Sequence, residues 1–246
     1  MIELEKALQI TRNHLLSPGK EMISLADSPG RYLAEDIRAD RDMPPFHKAS
    51  MDGFACRKED LPGPLDVLEL LPAGQVPSKP VGEGQCSRIM TGGQVPEGAN
   101  CVIMQEYVEE EAEEKIRFTG TYSESYICQK GEDLKKGDLL LKKGTLLEAQ
   151  HVGMMAAVGK SRVQASRRIH VGILATGSEL VEVKQVPEGA QIRNSNSQQL
   201  AAQVQRAGHT AELVGILRDD KGLLAKKISE FMESFDLLPV SYTHLR

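Results

Sequence analysis

The sequence predicts an α/β protein of several domains: a mixed helix and strand domain, a small β-domain inserted into it, and an α/β domain with a parallel sheet. Three observations support this prediction. Apolar residues recur at helical spacing between residues 3 and 16. Short alternating runs punctuated by Gly and Pro fill residues 46–130. From residue 169 onward apolar strands alternate with helical segments, which is the pattern of a parallel sheet.

The first domain is predicted to be discontinuous, formed by residues 1–42 and 134–168 on either side of the insertion. Its first helix is amphipathic and ends before Pro18-Gly19. Gly159 is expected to cap the last helix at its C-terminal end. The predicted elements are a helix over residues 3–16, a short helical piece around Arg31–Ala34, a strand over residues 139–141 and a helix over residues 146–158.

The inserted β-domain is predicted over residues 43–133 and begins at the double proline Pro44-Pro45. The acidic run over residues 109–114 has two interpretations, a functional patch or a solvated hairpin tip. The hairpin tip is favoured, because blocks of like charge are usually solvated. The predicted strands lie at residues 65–70, 101–104 and 116–118.

The third domain is predicted over residues 169–238 as a right-handed βαβαβ unit with parallel strands. In such sheets, ligands bind beyond the carboxyl ends of the strands. The predicted strands are 169–175, 211–217 and 235–238, the predicted helices are 197–206 and 223–232, and the polar residues expected at the ligand-binding edge are Thr176, Ser178, Glu179, Asp219 and Asp220.

The composition narrows the class of ligand. A net charge of −5 over 246 residues disfavours a nucleic-acid or anionic-membrane binder, because either would need a basic face. The N-terminus has no signal-peptide pattern, and no stretch reaches the roughly 18 apolar residues of a membrane helix. The four cysteines are well separated, so neither a disulfide framework nor a metal staple is expected, and the cytoplasm is the default location.

Three glycine-bearing blocks place a carboxylate or a hydroxyl beside backbone that can turn sharply. They are Met51–Ala55, Arg88–Gly93 and Ala175–Leu180. Glycine lets the backbone approach a ligand closely, and the neighbouring N–H groups can face an anion. The blocks therefore predict a protein that handles a phosphorylated or oxyanionic small molecule.

Several candidate residues have a structural interpretation beside the chemical one. Glu179 is placed to contact a ligand or a metal, yet it could simply cap a short turn. Asp219 and Asp220 suit Mg²⁺, a hard cation that prefers oxygen ligands, yet one of the pair is expected to be a helix N-cap. Asn194 and Asn196 are both expected to be N-caps.

Taken together, these blocks resemble the motifs of the molybdopterin molybdenumtransferase family, which includes MoeA and the gephyrin E domain. The resemblance runs in order from residue 1 to about residue 238, and six ordered blocks make it specific. The matching segments are Pro44–Phe46 with Met51–Ala55, Arg88–Gly92, Val95–Ala99 with Val102–Glu106, Gly131–Asp133, Ala175–Leu180, and Ile192–Asn196 with Arg218–Asp220.

The resemblance implies an enzyme of molybdenum-cofactor biosynthesis. Such enzymes bind adenylylated molybdopterin, use Mg²⁺ or another divalent cation to cleave the adenylate, and insert molybdate with release of AMP. It also implies an elongated homodimer whose cleft lies between one subunit's α/β domain and the partner's β-domain, with the molybdopterin adenylyltransferase as a candidate partner. Carried over, the catalytic residues are Asp52, Thr91, Asp133 and Glu179, the ligand-binding residues are Gly92, Gly93, Thr176, Gly177, Ser178 and Asn196, and the metal ligands are Asp219 and Asp220.

The end of the chain departs from the family pattern. After Leu238 the family continues into a glycine- and serine-rich loop, whereas this chain reads Pro239 to Arg246. Because proline interrupts a central parallel strand, residues 239–246 are predicted to be non-native and the three-layer molybdopterin-binding domain to be partial. This chain alone is then expected to be inactive. The alternative is a non-catalytic molybdopterin-binding or scaffolding module.

Overall fold

The computed structural model describes residues 2–112, 114–121 and 124–242, and these residues separate into two compact units. One unit, called here the β unit, is the continuous segment Ile37–Leu141. The other, called the α/β unit, combines the described residues up to Asp36 with those from Lys142 onward. The predicted three-domain boundaries stay a prediction.

The α/β unit begins with a helix and a strand. Helix α1 covers Leu4–Asn13 and strand β1 covers Lys20–Ser24. The predicted first helix is confirmed, and it ends at a C-cap, His14, whose backbone has left the helical region at φ −122°. No residue of α1 is buried, so its apolar stripe faces outward from the unit.

The predicted helical piece around Arg31–Ala34 is wrong, because these residues form bridges to distant strands. The N–H of Leu33 donates to the carbonyl of Thr145 at 2.9 Å, and the N–H of Ala34 donates to that of Gln164 at 2.8 Å. Local helix propensity is a weak preference, and pairing across the fold overrides it here.

The β unit is composed of strands and two single-turn 3-10 helices. Its strands are β2 (Ile37–Arg38), β3 (Lys48–Ala49), β4 (Gly53–Cys56), β5 (Leu65–Leu71), β6 (Gln85–Ile89), β7 (Cys101–Met104), β8 (Val108–Ala112), β9 (Lys115–Phe118), β10 (Ile127–Cys128) and β11 (Leu139–Leu141), and its 3-10 helices are Lys58–Asp60 and Gln105–Tyr107. Six strands form one sheet in the order β7-β4-β6-β5-β9-β8. The predicted strands are confirmed. The acidic run forms the exposed β8–β9 hairpin, with Glu113 outside the described residues.

Strand β4 is buried along its whole length and anchors the first candidate site. Its side chains alternate between two apolar clusters: Phe54 and Cys56 belong to one, and Ala55 belongs to the other. Alternation in a strand sends successive side chains to opposite faces of the sheet. Both faces are therefore covered, and the residue before the strand, Asp52, is held at a fixed position.

The remainder of the α/β unit carries a parallel sheet. Its elements are α2 (Ala149–Ala157), β12 (Arg162–Ser166), β13 (His170–Thr176), β14 (Leu180–Val181), β15 (Ile192–Arg193), α3 (Ser195–Arg206), β16 (Thr210–Leu217), α4 (Lys221–Met232) and β17 (Val240–Tyr242). The order β16-β13-β17, all parallel, confirms the predicted βαβαβ unit. Strands β1 and β12 pair antiparallel, and β14 pairs with β15.

The third parallel strand lies later in the chain than predicted. The segment 235–238 contributes one bridge, Leu237 to Val171, and the strand itself is β17. The expectation that Pro239 stops the sheet is wrong, because its carbonyl accepts the N–H of Leu174 at 3.1 Å. Proline loses a donor but keeps its acceptor, which an edge strand tolerates. A non-native origin of the tail stays a prediction, and residues 243–246 lie outside the described residues.

A bidentate ion pair ties the end of β12 to the segment before β17. The guanidinium of Arg167 donates to both carboxylate oxygens of Asp236 at 2.9 and 2.6 Å, and the N–H of His170 donates to the same carboxylate at 2.7 Å. The hydrogen bonds from Arg167 and then from His170 lower the pKa of Asp236 to about 2.

Because the pKa of Asp236 is lower in the folded protein than the unfolded value of about 3.9, its stabilisation is present above pH ~4 and is lost as the pH falls towards 2. We expect Asp236→Asn to lower the free energy of unfolding at pH 7 by about 1 kcal/mol, since the pair is partly exposed. It should also flatten the pH dependence over that window in urea denaturation. An unchanged pH dependence would contradict this assignment, and the exposed Asp27→Asn serves as the control.

Candidate functional site

The β unit joins two candidate residues into one pair. Asp52 precedes β4 and Thr91 follows β6, and these strands are antiparallel neighbours. The backbone N–H and the hydroxyl of Thr91 both donate to Oδ1 of Asp52, at 2.6 and 2.8 Å. These two hydrogen bonds lower the pKa of Asp52, the backbone bond having the larger effect. The carboxylate is therefore ionised near neutral pH, and both bonds use one oxygen and leave Oδ2 to a ligand.

Gly92 and Gly93 shape the turn that presents Thr91. The N–H of Gly92 donates to the carbonyl of Ala49 at 2.8 Å, and the N–H of Gly93 donates to that of Met90 at 2.8 Å. The expectation that these N–H groups are free to face an anion is therefore wrong. Gly92 has φ +81°, a conformation that favours glycine. The ligand-binding role of these two residues stays a prediction.

Asp133 lies in a separate turn of the β unit. Its N–H donates to the carbonyl of Met43 at 3.0 Å, and the preceding Gly131 has φ +70°. Its side chain is exposed. Among the described residues, no hydrogen bond or ion pair joins its carboxylate to Asp52 or Thr91, so its catalytic role stays a prediction.

The candidate residues of the α/β unit lie at the carboxyl edge of its parallel sheet, as predicted. Thr176 ends β13 beside Leu217, the end of β16, and the N–H of Gly177 donates to the carbonyl of Leu217 at 3.1 Å. Gly177 has φ +155°, and a Cβ there would lie 2.8 Å from Oε2 of Glu179. The Glu179 carboxylate thus folds back over the turn. Ser178 is exposed in the same turn.

The hydroxyl of Thr176 is buried and has no hydrogen-bond partner among the described residues. A buried hydroxyl without a partner is uncommon, because its desolvation is not repaid. At the carboxyl end of the central strand such a group is a donor or acceptor that a ligand could use. The ligand-binding role of Thr176 stays a prediction.

The two adjacent aspartates after β16 divide their roles. Oδ1 of Asp220 accepts the N–H of Leu223 at 2.9 Å and caps α4, which is the structural role expected for one of the pair. Asp219 is exposed, and its carboxylate makes no hydrogen bond within the described residues. Across residues 2–112, 114–121 and 124–242, no three His, Cys, Asp or Glu side chains come together to hold a metal ion.

This division predicts different stability effects. Asp220→Ala should lower the free energy of unfolding by about 1 kcal/mol, because the first turn of α4 loses its cap. Asp219→Ala should change it by less than about 0.5 kcal/mol, as is usual for an exposed residue. Urea denaturation of the two variants and the parent chain measures both values. Equal losses in the two variants would contradict the assignment.

At the start of α3 the cap is Asn194 and not Asn196. Oδ1 of the buried Asn194 accepts the N–H of Ser197 at 3.3 Å, whereas Asn196 is an exposed residue of the first helical turn. Asn196 lines a small cavity of about 40 Å³ together with Ser241. Ser241 lies in the tail predicted to be non-native.

The β unit also contains a groove of about 510 Å³ that no sequence pattern indicated. Its walls include His47 and the loop over residues 94–100, which contains the segment Val95–Ala99 that resembles the family pattern. The lining residues are His47, Gln94, Val95, Pro96, Glu97, Gly98, Ala99, Asn100, Ile127 and Gln129.

Two known families match the chain. Residues 2–159 match the family described as MoeA N-terminal region (domain I and II), and residues 172–240 match the probable molybdopterin binding domain. The chain is 37% identical over 229 residues to the molybdopterin molybdenumtransferase of Bacillus subtilis, covering 89% of this chain and 53% of that protein. It is 34% identical over 245 residues to the Staphylococcus aureus protein of the same name, and this match covers 96% of this chain and 58% of that protein.

Solved structures agree with the sequence comparison. Two structures of the molybdopterin biosynthesis MoeA protein of Pyrococcus horikoshii superpose with TM-scores of 0.86 and 0.81 at 32% and 34% identity. Each superposition covers 98% of this chain. The share of the Pyrococcus chain that is covered is 63% in the first structure and 65% in the second. The chain spans about half the length of the curated relatives it matches. In the described residues, no helix is long and apolar enough to cross a membrane. By sequence and by fold, this chain belongs to the MoeA family of molybdenum-cofactor biosynthesis.

Proposed function

We propose that the full-length protein inserts molybdate into adenylylated molybdopterin and releases AMP. The observation that carries this proposal is the ionised Asp52, held by Thr91 through one oxygen, in a chain of this family. A carboxylate with a lowered pKa stays ionised near neutral pH, so it is a poor general acid or base but a good acceptor of hydrogen bonds. Asp52 therefore binds and orients substrate through Oδ2, and Thr91 positions it.

The carboxyl edge of the α/β unit fits a divalent cation. Mg²⁺ needs only one or two protein carboxylates when substrate phosphates and water complete its octahedron. Within the part of the chain that the structure describes, the Asp219 carboxylate makes no hydrogen bond, whereas Asp220 is engaged as a cap. Mg²⁺ would be held by Asp219, with Glu179 as a second candidate ligand, and would supply charge neutralisation for the departing adenylate.

The test is molybdate-dependent release of AMP from adenylylated molybdopterin by the full-length protein, compared with the 246-residue chain. We expect turnover by the former and none by the latter. The absence of turnover in the full-length protein, with retained molybdopterin binding, would favour the non-catalytic module. Robust turnover by the 246-residue chain would overturn the expectation that it is inactive alone.

We further propose that the protein works in the cytoplasm as a homodimer to which an adenylyltransferase delivers the substrate. Helix α1 supports the dimer, because Leu4 and Leu8 on its apolar stripe are 68% and 46% exposed. Leu8→Glu should shift the 246-residue chain from dimer to monomer in sedimentation equilibrium, because a charge would have to be buried at the interface. Gln9→Glu, on the same helix, is the control. An unchanged mass would exclude α1 from the interface.

A further inference from the structure

We propose that the groove of the β unit binds a planar heterocycle through a 2-amino-4-oxopyrimidine edge. The groove is the one of about 510 Å³ lined by His47 and Gln129 and by the loop over residues 94–100. Pterins and guanine share this edge. The identification of the heterocycle as the pterin of the substrate rests on the proposed function, whereas the recognition of the edge rests on the groove itself.

Part of the groove lining is apolar. Pro96 is buried, and Val95, Ala99 and Ile127 pack against the cluster formed by Ala49, Ala55, Leu71, Ile89 and Val102. Among the described residues that line the groove, none is a lysine or an arginine. An uncharged flat ring can therefore lie against these apolar side chains.

Glu97 supplies an acceptor on a rigid loop. The carbonyl of Glu97 accepts the N–H of Val81 at 2.8 Å. The next residue, Gly98, has φ +90°, and a Cβ there would overlap the carbonyl oxygen of Val81, so the loop packs closely against the backbone of Val81. A carboxylate can accept two parallel N–H bonds. The exocyclic amine and the ring N3–H of a 2-amino-4-oxopyrimidine offer two such donors side by side.

His47 supplies a donor in the same groove. Its Nδ1 accepts the backbone N–H of Lys130 at 3.2 Å. An imidazole nitrogen that accepts carries no proton, so the neutral ring is protonated at Nε2. Nε2–H is thus available to the 4-oxo group of the ring. One carboxylate acceptor and one imidazole donor match the donor–donor–acceptor order of the proposed edge.

Backbone hydrogen bonds connect this groove to the segment that carries Thr91. The carbonyl of His47 accepts the N–H of Val95 at 2.9 Å, and the carbonyl of Ala49 accepts the N–H of Gly92 at 2.8 Å. The groove wall and the Asp52–Thr91 pair are thus parts of the same paired backbone. A ring held in the groove is bound by the same loop system that presents Thr91.

The experiment is fluorescence titration of the 246-residue chain with pterin and with lumazine, which carries oxygen in place of the 2-amino group. We expect pterin to bind at least about 10-fold more tightly, because lumazine lacks one donor to the carboxylate. Glu97→Gln should reduce that preference to about 2-fold, since Gln presents only one acceptor. His47→Phe should weaken both ligands alike, because both carry the 4-oxo group. Glu83→Gln, an exposed carboxylate outside the groove, is the matched control.

Equal binding of pterin and lumazine to the parent chain, or a preference that survives Glu97→Gln, would overturn the proposal. A guanosine titration distinguishes the two sources of the edge: guanosine binding more tightly than pterin would overturn the pterin assignment. These titrations contain no molybdate and no adenylate. If the titrations show no preference for pterin while the full-length protein releases AMP, only the groove assignment is refuted. If pterin is preferred but the full-length protein releases no AMP, only the proposed function is refuted.

Discussion

Gly53→Ala should lower the stability of the β unit by more than about 4 kcal/mol, at the severe end of single substitutions. A Cβ at residue 53 would overlap the carbonyl oxygen of Ile103 and lie 2.9 Å from its carbonyl carbon. Both atoms are backbone of β7, which pairs with β4 residue by residue. Relief would require the two strands to separate, and close-packed interiors do not absorb such an overlap.

Gly153→Ala is the matched control for that experiment. Gly153 lies in α2 with no atom within 4 Å of the added Cβ, so the substitution should stabilise the helix by about 0.5–1 kcal/mol. Urea denaturation followed by circular dichroism measures both variants. A Gly53→Ala chain as stable as the parent would show that β4 and β7 are not paired as described.

Glu179→Ala in the full-length protein should reduce AMP release by at least about 10²-fold while largely sparing molybdopterin binding. The carboxylate lies at the carboxyl edge of the parallel sheet, over the turn at Gly177, where a ligand approaches the strand ends. Removing one preorganised charged group at a site of developing charge costs about this much in rate.

Glu182→Ala is the control for Glu179, because its exposed side chain lies just beyond β14. Rates of AMP release and equilibrium binding of molybdopterin are measured on the same preparations. Loss of binding together with turnover would assign Glu179 to ligand capture and not to the chemical step. Full activity of Glu179→Ala would remove it from the site.

The Asp52–Thr91 pair shows where prediction from sequence stops. Each residue belongs to a glycine-bearing motif that the sequence singles out, but the motifs are far apart along the chain. Only the pairing of β4 with β6 brings the hydroxyl and the N–H of Thr91 onto one oxygen of Asp52. The N–H groups of Gly92 and Gly93 are likewise occupied, by the carbonyls of Ala49 and Met90.

The positions of helix caps are predicted from sequence with a smaller error. A polar residue at the start of a helix is recognisable from sequence, but the exact position is uncertain by one or two residues. Asn194 and Asp220 cap their helices, whereas the neighbouring Asn196 and Asp219 do not. Among the described residues, the neighbour that does not cap is the one whose side chain makes no hydrogen bond.

The sequence by itself determined the family, the βαβαβ order, the strands of the inserted β unit and the edge on which Glu179 and Asp219 lie. These features follow from local periodicity, from turn-forming glycines and from the rule that parallel strands end at one edge. Only the tertiary structure decided that Arg31–Ala34 is extended, that β17 continues past Pro239, and that His47 and Glu97 line one groove. Each of these depends on hydrogen bonds to segments distant in the chain, which no local pattern encodes.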